Sequence, residues 1–237
     1  YNVENLFDTD GISLYDDYKS DAYGETEFQN KLDTIIKVLQ KIGGVTGPEV
    51  LLLQEVEVDR SPNDQTSAAE SLLDELHRNG LGPYNIALGY NSSFPSESWP
   101  AVQCLTLSKF PIKTIRLHSL YRARPILETT ILVEQIPFTL FNNHWKSGAS
   151  SSEMEKIRLQ NAEILRKRID NLLQADPYHD FLVGGDLNSH YNQSVIYRKE
   201  LESSGINDIL LSGNQEPAGK LHPTRSLYNL WHELEVE

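Results

Sequence analysis

Three short polar clusters could do chemistry, and each follows directly on an apolar run. Gln54-Glu55 comes after Leu51-Leu52-Leu53, Asn142-Asn143-His144 after Phe138-Thr139-Leu140-Phe141, and Asp186-Leu187-Asn188 after Phe181-Leu182-Val183-Gly184-Gly185. A carboxylate emerging from a buried strand must be paired, hydrogen-bonded or bound to a cation. Glu55 is therefore a candidate ligand for a hard metal such as magnesium; the plainer reading of the residue alone is the start of an exposed loop with Glu57 and Asp59. Strand alternation puts Asn142 and His144 on one face. A histidine there can donate to a phosphoryl oxygen that gains charge, or it can be a structural residue tied to a carbonyl. If 181–185 is a strand, Asp186 and Asn188 also point the same way and can orient a reacting water. Gly184 and Gly185 then allow close backbone approach. The same Asp-Leu-Asn-Ser string is equally good turn and helix-cap chemistry.

The elements that must position these clusters alternate between helix and strand. Residues 25–43 read as an amphipathic helix on Phe28, Leu32, Ile35, Leu39 and Ile42, ended by Gly43-Gly44. Val50 to Leu53 suits a strand buried on both faces. A second helix is expected over 66–79 through Leu72, Leu73 and Leu76. From 84 to 144 the helical pattern gives way to short β-rich runs at 86–88, 101–107, 112–118, 126–134 and 136–142, the last two a hairpin. A long helix over 151–174 carries the stripe Met154, Ile157, Asn161, Leu165, Ile169 and Leu172. A strand at 180–185 follows it, then a short helix near 192–203. Helices at both ends with strands between favour one α/β domain with mixed sheets.

Composition removes several alternatives. Hydrophobic residues at 39% and charged residues at 23% fit a globular chain with a sizeable core. No apolar run approaches the roughly 20 residues of a membrane helix. The single cysteine, Cys104, rules out a cysteine-rich zinc site. A net charge of −13 argues against a generally basic nucleic-acid binder; it leaves room for a phosphate-ester enzyme, which needs carboxylates for a metal and few cations. Asp8-Thr9-Asp10-Gly11 lacks the offsets of a calcium loop and reads as solvated loop. Ser147 has no nucleophile elbow around it.

Taken in order, Tyr1-Asn2-Val3-Glu4-Asn5-Leu6-Phe7-Asp8, Leu53-Gln54-Glu55-Val56, Asn142-Asn143-His144 and Gly185-Asp186-Leu187-Asn188 resemble the motifs of the endonuclease/exonuclease/phosphatase family with the deoxyribonuclease-I-like fold. Leu107-Ser108-Lys109-Phe110-Pro111-Ile112 is similar to that family's turn between central strands, and the wording is most similar to a bacterial branch. The resemblance implies an α/β fold of two stacked mixed β-sheets flanked by helices, a four-layer α/β/β/α sandwich, as a single catalytic domain over 1–237. It implies magnesium as cofactor, with manganese or calcium as alternatives, and a phosphate-ester substrate, nucleic acid among the candidates. Asn2 would lie beside the metal and Glu55 would be its main ligand. His144 would hydrogen-bond the scissile phosphate, Asp186 would orient or deprotonate the attacking water, and Asn188 would help position it. Asn142 is an expected substrate contact. Arg124 is a second, because a guanidinium matches phosphate geometry, against the alternative of a surface arginine at a strand start.

The activity this implies is metal-dependent hydrolysis of phosphate esters, a phosphodiesterase or nuclease foremost. Sphingomyelinase-like activity, inositol-phosphate phosphatase activity and an inactive binding scaffold are the alternatives. The chain is expected to act as a monomer, in the cytoplasm or exported after loss of a signal. The resembled family closes with a further aspartate and a Ser-Asp-His-like motif. Nothing of the kind follows residue 190, where His222 and His232 lack a preceding aspartate. The expectation is therefore a domain whose C-terminal strands are missing and whose 237-residue form is nearly inactive.

Overall fold

Periodicity decides the helices. The computed structural model describes residues 1–60, 65–148, 152–212 and 226–233. In it the helix α1 (Glu25–Gly43) buries Phe28, Leu32, Ile35, Ile36 and Leu39. Ile42, expected on the same stripe, lies in the last turn and is 69% exposed. The helix α2 (Ala68–Arg78) starts at Ser67, whose hydroxyl accepts from the Glu70 amide while the Glu70 carboxylate accepts from the Ser67 amide. This reciprocal cap satisfies donors that the first helical turn leaves open.

The chain divides into two compact units, the first made of Tyr1–Ser119, Arg124–His144 and Asp180–Asp186 and the second of Leu120–Ala123, Trp145–His179 and Leu187–Glu237. The first unit holds two mixed four-stranded sheets. One has the order β1 (Asn2–Leu6), β2 (Val50–Glu57), β4 (Val102–Ser108), β3 (Asn85–Leu88), with β1 and β2 parallel and the other pairs antiparallel. The other runs β5 (Ile112–His118), β6 (Ile126–Val133), β7 (Ile136–His144), β8 (Asp180–Asp186), with β7 and β8 parallel. The strands match the expected runs within a few residues, and β6–β7 is the expected hairpin.

Leu51, Leu53 and Val56 of β2, with Leu105 and Leu107 of β4, pack with Leu32, Ile35 and Leu39 of α1 and Leu72 and Leu76 of α2. Burying each such side chain contributes about 1.5–3 kcal/mol. On the other face of the first sheet, Ala87 and Cys104 meet Leu127 of the second. All of β4 is buried, as a central strand covered on both faces requires.

In the second unit, α3 (Ser152–Ala175) buries Ile157, Asn161, Leu165 and Ile169 of the expected stripe, with Ala162 beside them and Met154 and Leu172 half-buried, and packs against the turn Gly205–Ile209. An ion pair between Glu155 and Arg158, both almost fully buried, holds its first turns. Arg158 also donates to the Lys146 and Gly148 carbonyls, and Glu155 accepts from the Gly205 amide. These bonds offset the cost of burying the charges. The helix expected over 192–203 contracts to α4 (Gln193–Ile196), after which the backbone closes as separate turns. His222 lies outside the described residues. Among those described, no helix is long and apolar enough to cross a membrane.

Candidate active site

Four side chains from the two sheets converge in the first unit. β1 and β2 are in parallel register at Asn2 and Gln54, and β7 and β8 at His144 and Asp186. Parallel pairing brings the last residues of β7 and β8 to one sheet edge, the usual place for a site on such a scaffold. Asn2 opens β1.

Glu55 reaches the site through a β-bulge. Gln54 pairs with Cys104 and Val56 with the adjacent Gln103, so Glu55 is the extra residue. Its φ of 67° lies in the left-handed region, a strain of about 1–3 kcal/mol. The bulge resets the alternation. Leu51 and Leu53 face the helices and so does Val56, while Glu55 is turned out of the ladder. β1 is irregular at the same level. Asn2 matches Gln54 and Leu6 matches Val56, with Glu4 and Asn5 between them at φ of 55° and 65°.

Two glycines fit β8 to its neighbours. A Cβ on Gly185, whose φ is 114°, would stand 2.1 Å from the Asn143 carbonyl oxygen. A Cβ on Gly184 would stand 2.8 Å from the Leu52 side chain. Gly185 therefore serves the β7–β8 approach that carries Asp186 to His144, and Gly184 leaves room for Leu52 of the other sheet.

The Asn2 amide nitrogen donates to Glu55 Oε1 and to Asp186 Oδ2, each at 3.1 Å. Its oxygen is occupied by the Glu4 amide at 2.9 Å, which fixes the orientation of the group. Asn2 therefore presents a donor to the two carboxylates, beside the place expected for a metal. His144 is buried, with Nε2 at 3.4 Å from Glu55 Oε1 and with Nδ1 lacking a partner among the described residues. Burial, and then the Arg124 guanidinium, hold its pKa below the usual histidine value, against the pull of Glu55 and Asp186. The ring is neutral at neutral pH.

The donor set suits a hard divalent cation. Two carboxylates from different sheets converge on one N–H group, the positive end of a dipole. Among the described residues no cluster of three acidic, histidine or cysteine side chains forms a ready metal cage. Magnesium keeps several waters and binds through one or two carboxylates plus substrate phosphate, so it needs no such cage.

Asn142 has a different place from the substrate contact expected of it. It shares the His144 face but is fully buried, accepting from Gln54 Nε2 at 2.7 Å and donating to the Leu53 and Leu105 carbonyls at 3.1 and 3.0 Å. It ties the two sheets together beneath the site, with Gln54 as its partner. Asn188 belongs to the second unit, where its amide donates to the Trp145 carbonyl at 3.2 Å. Arg124 is half-buried, and its Nη2 donates to the Tyr15 hydroxyl at 3.3 Å.

Sequence reasoning missed Tyr15 and the burial of Asp8. The stretch expected to be solvated is anchored: Asp8 accepts from the Asp10 and Ala68 amides, and its own amide donates to Glu57. The available signal was the aromatic spacing Phe7, Tyr15, Tyr18 and Tyr23 within the acidic run.

Solved structures share this fold. TDP2 from Caenorhabditis elegans superposes with a TM-score of 0.51 at 17% identity, over 72% of this chain and 45% of that one. Beta toxin from Staphylococcus aureus gives 0.52 at 17% identity, over 76% and 63%. Sphingomyelinase C from Streptomyces griseocarneus gives 0.52 at 18%, over 79% and 64%. The chain thus matches between about half and two thirds of these proteins' lengths, and the likeness is one of fold. No curated protein sequence matches significantly. The two mixed sheets match the deoxyribonuclease-I-like α/β sandwich, and residues 1–204 match the family model described as Endonuclease/Exonuclease/phosphatase family; the chain belongs to that family, one of phosphate-ester hydrolases.

Proposed function

We propose that this protein hydrolyses phosphodiesters with the help of a divalent metal, magnesium foremost. The observation that carries the reading is the convergence of Glu55 and Asp186 on the Asn2 amide, with a neutral, buried His144 beside Glu55. Family membership and the sphingomyelinase neighbour support ester hydrolysis at such a site.

Glu55, with Asp186 next to it, would hold the metal. When bound, it would neutralise charge on the phosphate and lower the pKa of a coordinated water. Asn2 keeps the two carboxylates in place before the metal and substrate arrive, so little reorganisation is needed. Asp186 accepts a hydrogen bond from the attacking water, aims it at phosphorus and takes its proton as the P–O bond to the leaving group breaks, the leaving oxygen taking a proton from solvent. His144, as a neutral imidazole, donates to a nonbridging oxygen as charge builds there. Arg124 contacts the phosphate. Among the described residues no carboxylate forms an ion pair with its guanidinium, whose charge is directed to the substrate. The substrate class we favour is a phosphodiester such as a nucleic acid, taken up by a monomer.

The test is turnover of bis(p-nitrophenyl) phosphate and plasmid DNA by the full-length native chain, with magnesium and then with chelator. The reading expects metal-dependent release that His144→Ala lowers by about 10²–10³-fold. Metal-independent turnover would refute the metal-assisted reading, and no turnover of any ester would support a binding scaffold.

A further inference from the structure

We propose that Tyr15 is a positioning residue that holds Arg124 as the phosphate anchor of the site, and that the loop following β1 thereby sets affinity for the substrate phosphate. The inference rests on the phosphate-ester reading of the same site. Tyr15 and Arg124 are 109 residues apart, yet the guanidinium Nη2 donates to the Tyr15 hydroxyl at 3.3 Å. Tyr15 is itself fixed. Its ring packs on the fully buried Phe7 with centroids 5.3 Å apart, and its amide donates to Ser13 Oγ at 3.0 Å. Phe7 is also stacked with Tyr18 at 4.3 Å, and Tyr23 meets Tyr18 edge-on while its hydroxyl donates to the Phe7 carbonyl.

The chemistry of this contact is specific. Arginine carries five donors in a rigid fork that matches a phosphate in two-point contact. In a chain of net charge −13, a carboxylate partner would spend that charge within the protein. A phenol hydroxyl instead occupies one N–H and leaves the charge and the other donors for an anion. β6 pairs antiparallel with β7 at Leu127 and Asn142, so Arg124, three residues ahead of Leu127, comes to the sheet edge where β7 ends at His144. A loop packed on the end of β1 through Phe7 thus orients a cation that the strand ends do not supply.

Removing the hydroxyl alone leaves the ring packing intact, so the test is Tyr15→Phe, alone and combined with Arg124→Lys. Binding of inorganic phosphate in the presence of magnesium is measured calorimetrically, and kcat and KM for bis(p-nitrophenyl) phosphate are measured in parallel. Tyr15→Phe should weaken phosphate binding about three- to tenfold, as expected for one lost hydrogen bond, and in turnover KM should rise more than kcat falls. The double variant should bind no more weakly than Arg124→Lys, because the two residues act as one unit. Wild-type phosphate affinity in Tyr15→Phe, losses that simply multiply in the double variant, or a lowered melting temperature with binding intact would each overturn the proposal. Phosphate binding with the expected dependence but no turnover of any ester would uphold the positioning role and refute the hydrolase reading. Turnover with an unaltered KM in Tyr15→Phe would do the reverse.

Discussion

At Asn2 the side chain presents nitrogen, not oxygen, to the two carboxylates. The difference changes what a substitution should do. Removing the amide in Asn2→Ala leaves Glu55 and Asp186 unheld, and metal affinity should fall about 10–100-fold, as for loss of an outer-shell partner; a calorimetric titration with magnesium measures it. His144 gives a second test. Its pKa is lowered, chiefly by burial, so the folded chain disfavours the charged ring. The stability this neutral ring contributes is present above the ordinary histidine value and is lost as pH falls through the folded one. In the metal-free chain its imidazole resonances should titrate below the ordinary range, and Arg124→Ala should move them up; titration at the ordinary value would contradict the assignment. Glu55, His144 and Asp186 were legible in the sequence because each ends an apolar run. The roles of Asn2 and Asn142 were not, because they depend on which amide atom faces which neighbour.

The helices and strands follow from patterns that the sequence displays openly. Phe28, Leu32, Ile35 and Leu39 recur at helical spacing, and Ser67 with Glu70 is a capping signature three residues apart. The bulge at Glu55 was hidden, since glutamate has no preference for a positive φ and tertiary packing imposes it. The tie between the sheets was hidden for a similar reason: Asn142 and Gln54 are 88 residues apart in sequence. Two substitutions test these devices. Gly185→Ala drives a Cβ into the Asn143 carbonyl at a positive φ, and should destabilise the chain by roughly 1–3 kcal/mol or more in urea unfolding. Asn142→Ala removes the buried amide that accepts from Gln54 and donates to the Leu53 and Leu105 carbonyls, and should destabilise the chain by about 1–3 kcal/mol. Unchanged midpoints would show that the strands do not depend on these contacts.

The whole chain is acidic, and two of its acids are buried together away from solvent. Burial, and then the charge of Asp8, raise the Glu57 pKa to about 8, while burial raises that of Asp8 to about 6. The folded chain therefore holds a proton on Glu57 that the unfolded chain releases. This contribution to stability is complete below the ordinary glutamate value and is lost as pH rises to about 8. In chelator, thermal unfolding should show stability declining from pH 5 to pH 8, and Glu57→Gln should flatten the slope; an equal slope in the variant would refute the buried proton. The same carboxylate-rich chain must also place two acids where they attract a cation, and this is the claim on which the functional reading stands. The most direct measurement is a calorimetric titration of the chain with magnesium, wild type against Glu55→Ala and Asp186→Ala. The prediction is one binding event in the wild type that Glu55→Ala abolishes and Asp186→Ala weakens about tenfold or more. Equal magnesium affinity in all three proteins, or no binding by the wild type, would contradict it.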